Sequence, residues 1–361
     1  MRAAVMRNKR LLVAELPRPE PGPGEVLVKT LACGICGSDL HALKHAEQFV
    51  EASRRAGSVF TMDLARDVVM GHEFCAEIVE HGPETTRALK AGTRVCSRPS
   101  LIRAAGAHTV GYSNDTPGGY AEHMRLTEAL LLPVPNGLAT EHAALTEPMA
   151  VGLHAVAKAR LEPDDAPLVI GCGPVGLAVI AALRLAGARP IVAADFSARR
   201  RELATALGAD VVVDPAASTP WQSWREAAVW RDPSRAPARP PWIAGPPRRP
   251  AVVFECVGVP GVLDQLMAAS PRGARIVVVG VCMEADTIHP MLGISKELSL
   301  QFVLGYTADE FAATLTHIAE GRIPVAPLVT GTVGLDGVAG AFEALASPAR
   351  HAKILVEPWR A

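Results

Sequence analysis

Residues 169–176 read VIGCGPVG, and the reading of this stretch decides the fold. Gly171, Gly173 and Gly176 stand in G-x-G-x-x-G spacing. Three glycines alone mean little, but here an apolar run, PLVIGCG, leads in and a helical pattern, PVGLAVIAALRLAG, leads out. An acidic residue, Asp195, closes the next apolar run about twenty positions on. In such a strand–turn–helix unit, Gly171 permits the tight turn, Gly173 lets backbone approach a pyrophosphate and Gly176 lets the helix pack on the strand. The free N–H groups and partial positive charge of the helix start face the phosphates. The expected cofactor-binding set is Gly171, Gly173, Pro174, Val175, Gly176, Asp195 and Arg200. Asp195 would bond the adenosine ribose hydroxyls and repel a 2′-phosphate, which predicts NAD rather than NADP. The neighbouring Arg199, Arg200 and Arg201 are the counter-signal, since an arginine can receive that phosphate.

Outward from this unit, strand and helix patterns alternate. RPIVAAD, SARRRELATALGA and DVVVD follow, then AVVFECVG, GVLDQLMAAS and ARIVVVG. This is the grammar of a parallel α/β sheet. Residues 215–250 interrupt it, with nine prolines and Trp221, Trp224, Trp230 and Trp242. The stretch is too long for a regular βα connection. It reads as a surface insertion, or as a flap or subunit contact, because tryptophans are costly to leave in water. Upstream, to about residue 150, β-branched runs cut by Gly and Pro predict strands, with a surface helix between His41 and Gly71. Downstream come two helical patterns, ADEFAATLTHIAEG and GVAGAFEALAS, and a final strand, AKILVEP.

The chain has 361 residues, 49% of them hydrophobic, and a formal net charge of −1. No basic face is implied, so nucleic acid is not an expected partner. No charge occurs from Ala166 to Leu183, but Gly171, Gly173 and Pro174 break that run, which excludes a spanning helix. The first residues lack the apolar region of a signal peptide, and the seven cysteines are an odd number. A cytoplasmic protein without a disulfide framework is expected.

Residues 33–41, CGICGSDLH, allow three readings: a redox pair, half of a structural zinc site, or one corner of a catalytic centre. GHE (71–73) and EP (147–148) are bland singly. With Cys36, His72 and Glu147 they supply thiolate, imidazole and carboxylate, a set suited to zinc with one open position.

CGICGSDLH, GHE, GGYAEH (118–123), EPMAVGLHAV (147–156) and VIGCGPVG with Asp195, in that order over nearly the whole chain, resemble the zinc-dependent medium-chain alcohol dehydrogenase family. The resemblance implies an α/β protein, with a GroES-like β-rich catalytic domain at 1–150 and a Rossmann NAD-binding domain with a doubly wound parallel sheet at 151–293. A segment at 294–361 would complete the first domain. It implies Cys36 and His72 as catalytic zinc ligands and Glu147 at the third position. Glu73 lies near the metal, as a ligand or behind one. Asp39 would orient His72; Ser38 and His41 would relay the proton; Val281 would lie beside the nicotinamide. Hydride would pass from an alcohol or polyol to NAD, in a homodimer or homotetramer. A zinc-free reductase of the same superfamily, or a dinucleotide-binding protein without catalysis, are the competing readings. Three departures stand out. The region from Cys96 to Tyr120 has one cysteine, Cys96 itself, so a four-cysteine structural zinc is not expected and a single catalytic zinc is. Ala76 stands where the family has glycine. The 42–70 stretch is longer than usual.

Overall fold

Six parallel strands form one sheet in the order Val211–Val213, Val192–Ala194, Ala166–Ile170, Ala251–Glu255, Arg275–Val278 and Ser299–Phe302. By position in the chain this is 3-2-1-4-5-6, the doubly wound arrangement in which ligands bind where the order reverses. The computed structural model describes residues 1–58, 62–104, 106–135, 137–238, 245–347 and 351–360. These divide into two units: Met1–Pro148 with Thr307–Ala361, and Met149–Tyr306. The second unit runs past residue 293 because Ser299–Phe302 pairs with Arg275–Val278 as the sixth strand. Its central strands are continuously apolar because both faces are covered.

The 215–250 stretch corrects the reading of a mere insertion. Thr219 accepts a hydrogen bond from the Gln222 N–H (3.2 Å) and Pro220 fills the first turn, starting the helix Pro220–Ala227. Trp221 and Trp224, three apart on one helix face, enter the core beneath Ala166–Ile170 and Val192–Ala194. The Trp224 indole N–H donates to the Ala166 carbonyl at 2.9 Å. Part of the segment is therefore an ordinary crossover helix, hidden in the sequence by its prolines. Trp230 is also buried, and Trp242 lies outside the described residues.

The first unit holds a seven-stranded sheet. Val329–Val333, Lys353–Val356, Glu25–Gly34, Glu73–His81, Arg94–Ser97 and Leu131–Pro133 lie side by side, and His123–Thr127 also pairs with Glu25–Gly34. A turn at Asn8-Lys9, both at positive φ, joins the hairpin Arg2–Arg7/Arg10–Glu15. Where a cysteine-rich lobe would stand there is a short hairpin, Ser100–Arg103 against Gly106–Thr109. The 42–70 region carries the helix Ala46–Arg55. No helix among the described residues is long and apolar enough to cross a membrane; the uncharged run at 166–183 divides into a strand and the helix Pro174–Leu185.

Candidate active site

The antiparallel strands Glu25–Gly34 and Glu73–His81 pair in a register that sets Gly34 opposite Glu73 and Cys33 opposite Phe74. The chain then leaves Gly34 and starts the helix Gly37–Lys44 at once, with Cys36 as its N-cap. Ser38, Asp39 and His41 are thus held on a helix. Asp39, at the third helical position, accepts the Cys36 backbone N–H at 3.0 Å. Cys33 faces the interior, fully buried, and burial drives its thiol well above the ordinary range; Cys36 remains partly accessible.

Among the described residues, Cys36, His72 and Glu73 form one group whose ligand atoms all lie within 4.8 Å of one another. A thiolate, an imidazole and a carboxylate fit zinc. The supporting atoms fit too: His72 Nδ1 lies 3.4 Å from Asp39 Oδ1, which leaves Nε2 for a metal. Burial alone would keep His72 neutral, but Asp39 and Cys36 outweigh it and raise its basicity well above the usual value.

Glu73 is not free to act as a simple ligand. It is fully buried, and both of its oxygens accept from Lys353 Nζ at 2.7 Å. Lys353 also donates to the Ile35 carbonyl at 3.0 Å. Its strand, Lys353–Val356, pairs with Glu25–Gly34, which brings the ammonium from the far end of the chain. Gly34 is required here: a Cβ on it would stand 2.1 Å from Glu73 Oε2. Glu147, in the first turn of the helix Thr146–Ala159, is buried and close enough to reinforce the charge on Lys353, but it is outside the three-residue group.

Asp39 is the hub. Its Oδ1 accepts from Tyr112 at 2.7 Å, and its Oδ2 from Tyr120 at 2.7 Å. Burial would push Asp39 up, but His72 and the two tyrosine hydroxyls outweigh it, and the carboxyl titrates below its ordinary range. Burial first, then Asp39, drives both tyrosines well above theirs, so both stay protonated donors. Ser38 Oγ lies 2.8 Å from the Tyr112 hydroxyl. His41 stands one turn along the helix, its ring stacked on His45 with centroids 6.3 Å apart. Partial burial, then His45 and Lys44, lower its basicity, so it is neutral near pH 7 and can accept a proton.

The nucleotide-binding loop of the second unit has the expected build. Gly171 sits at φ +90°. A Cβ on Gly176 would lie 1.9 Å from the Gly171 carbonyl oxygen, so the helix can approach only without one. Gly173 caps the helix Pro174–Leu185, with Pro174 in its first turn followed by Val175. A Cβ on Gly173 would meet nothing nearer than Arg200 at 3.8 Å, an open cradle for a phosphate. Asp195 accepts the Cys172 N–H and the Ser197 N–H, each at 2.8 Å, which fixes its carboxylate at the strand end. Arg199 pairs with Glu202 and Arg201 with Asp214, leaving Arg200 beside Asp195 at 3.8 Å. Val281 is half-exposed beyond the strand Arg275–Val278, its backbone packed against Gly258.

Lys353 and Tyr120 escaped the sequence reading as site residues, and so did the hydrogen bond from Tyr112 to Asp39. The available signal was weak: a lysine inside the otherwise apolar KILV strand, and tyrosines among loop glycines.

Two family models match the chain. "Alcohol dehydrogenase GroES-like domain" covers residues 22–136 and "Zinc-binding dehydrogenase" covers 174–320. The chain is similar to the (R,R)-butanediol dehydrogenase of Bacillus subtilis strain 168, at 34% identity over 370 aligned positions spanning 99% of this chain and 100% of that protein. It is 28% identical to the sorbitol dehydrogenase of Gallus gallus, over 94% of this chain and 91% of that one. A solved structure of 2R,3R-butanediol dehydrogenase from Bacillus subtilis superposes with a TM-score of 0.77 at 31% identity, covering 99% of each chain. A zinc-binding dehydrogenase from Sinorhizobium meliloti 1021, solved bound to NADP, gives 0.78 at 25% identity, again over 99% of each.

Proposed function

The chain belongs to the zinc-dependent medium-chain alcohol dehydrogenase family, and on that premise we propose that it oxidises a secondary alcohol or polyol to the carbonyl, with hydride transfer to NAD. The observation that carries this reading is the Cys36–His72–Glu73 group, with His72 and Glu73 buried and Cys36 partly accessible, at the start of the helix bearing Ser38, Asp39 and His41. Cys36 and His72 would hold one zinc, with a carboxylate from Glu73 or Glu147. Lys353 occupies both oxygens of Glu73, and Glu147, buried and near enough to act on Lys353, is the alternative carboxylate. When bound, zinc supplies Lewis-acid polarisation of the substrate oxygen and the nicotinamide supplies the hydride acceptor.

The side chains do the rest. Asp39 keeps the His72 ring oriented. Ser38 meets the reacting hydroxyl, and neutral His41, one turn further on and partly exposed, takes the proton outward. The substrate is a small alcohol; the butanediol and sorbitol dehydrogenases among the relatives favour a vicinal diol or longer polyol. Incubation with NAD and a panel of diols, polyols and simple alcohols, with and without a chelator, tests the reading through the absorbance of the reduced nicotinamide. Reduction that the chelator stops is expected. No turnover on any alcohol, or turnover in verifiably zinc-free protein, would overturn it.

NAD is the proposed cofactor because Asp195, held by the Cys172 and Ser197 N–H groups, would repel a 2′-phosphate, and Arg200, an arginine that could receive one, is paired with Asp195 at 3.8 Å. The ratio of kcat/KM for NAD over NADP is expected to exceed about tenfold, and Asp195→Ser to reduce it by at least that factor. A wild-type preference for NADP would reverse the assignment. We also propose a homo-oligomer. The outermost strand Ser299–Phe302 leaves Phe302 exposed, with Leu304, Met291 and Ile294 exposed nearby in sequence, an apolar surface of the kind a second subunit covers. Light scattering at the mass of one chain would contradict this.

A further inference from the structure

We infer that Tyr112 is a positioning residue that turns the Ser38 hydroxyl so that its oxygen accepts a hydrogen bond from the substrate alcohol. The inference rests on the alcohol-oxidising reading above and adds the element that sets its hydrogen-bond polarity. Asp39 has no exposed surface, and a carboxylate can only accept. The bond of 2.7 Å between Tyr112 and Asp39 Oδ1 therefore uses the single phenolic proton of Tyr112. Ser38 Oγ and the Tyr112 oxygen are 2.8 Å apart, so the proton between them belongs to Ser38. Ser38 has only that proton. Its lone pairs are left for a partner that donates, and an alcohol hydroxyl donates where a carbonyl oxygen cannot; as the substrate proton arrives, the Ser38 hydroxyl turns from Tyr112 and gives its own proton outward toward His41. Tyr112 and Asp39 are buried and Ser38 is partly exposed, so the ordered chain ends at the one hydroxyl a substrate can reach.

The position of the ring does not depend on its hydroxyl. Tyr112 stacks against Phe49 and His72, each at 5.2 Å between centroids. The loop that carries it is stitched to the segment before His72: the Gly118, Tyr120 and Gly119 N–H groups donate to the carbonyls of Val69, Met70 and Gly71 at 2.9, 3.1 and 2.8 Å. Tyr112→Phe should therefore keep the packing, release Ser38 and leave Asp39 with the Tyr120 donor. The single carboxylate of Asp39 thus governs two groups, the imidazole of His72 directly and the hydroxyl of Ser38 through Tyr112.

The test is a mutant cycle read by steady-state kinetics, zinc content and the visible spectrum of cobalt-substituted protein. Tyr112→Phe is expected to lose about tenfold in kcat/KM for the alcohol, the worth of one ordinary hydrogen bond. Zinc content and the cobalt spectrum should stay as in wild type. Ser38→Ala should lose more, and Ser38→Ala/Tyr112→Phe should lose less than the sum of the two single losses, by the part of Tyr112 that acts through Ser38, while the part that acts through Asp39 remains. Tyr120→Phe, which removes a donor from Asp39 without touching Ser38, should add its loss to that of Ser38→Ala. Additive losses for Ser38 and Tyr112, full activity in Tyr112→Phe, or a shifted cobalt spectrum in that variant would overturn the inference while leaving the dehydrogenase reading intact. A Ser38→Ala enzyme as active as wild type would instead remove Ser38 from the reaction, and this inference with it.

Discussion

Lys353→Met is expected to destabilise the metal-free protein by about 3–5 kcal/mol, because it strands the Glu73 carboxylate inside the first unit without its counter-charge. Glu73 has no exposed surface, both its oxygens lie on Lys353 Nζ, and Gly34 closes over it. The cost comes from the uncompensated charge and not from the pair having been strongly stabilising. Glu73→Leu/Lys353→Met should accordingly recover most of the loss. Denaturant unfolding of chelator-treated samples measures both; equal stability of wild type and Lys353→Met would show that water or another cation serves Glu73. The pH dependence follows from the sign of the shift on Lys353. Burial pulls its pKa down, but Glu73, then Cys36, with a smaller contribution from Glu147, outweigh it and raise the pKa. A raised folded value means that the contribution is complete below the ordinary lysine pKa of about 10.4 and fades only as pH climbs through the raised value. The difference between wild type and Lys353→Met should thus stay constant across the neutral range and shrink only in strong alkali.

Cys36→Ala is expected to abolish zinc retention and to lower turnover by about a thousandfold or more, since losing Lewis-acid stabilisation removes several kcal/mol from the transition state. Cys36→Ser separates the sulfur from the fold. Serine is a good N-cap and keeps the start of the Gly37–Lys44 helix, while its oxygen is a poor zinc ligand. Both variants should fold as wild type by circular dichroism and hold less zinc. Full turnover by either one without bound metal would remove zinc from the reaction.

Much of the fold was legible because local patterns and tertiary structure agree. The alternating runs from Pro167 to Gly280 became five of the six parallel strands, and the glycines of VIGCGPVG occupy the turn they were assigned. The sixth strand, Ser299–Phe302, was missed because it is short and mostly exposed, so its composition does not resemble a buried strand. The helix Pro220–Ala227 was missed because surrounding prolines masked a normal start, and its tryptophans were read as a surface feature although two of them are core. At the site, Cys36, His72 and Glu73 were named and do come together. The partners that tune them, Lys353 and Tyr112, lie 280 and 73 residues from Glu73 and Asp39.

CGICGSDLH shows the division. The sequence alone determined its residue types and their company: a thiol, a hydroxyl, a carboxylate and an imidazole within a few positions, ahead of GHE and a dinucleotide loop. Helical spacing then makes Ser38 and His41 neighbours on one face. Only the tertiary structure decided that Glu73 answers to Lys353 and that Ser38 lies within hydrogen-bond reach of Tyr112. Those outcomes depend on strand register and on one loop stitched to residues 69–71, contacts between segments far apart in the chain that no local pattern encodes.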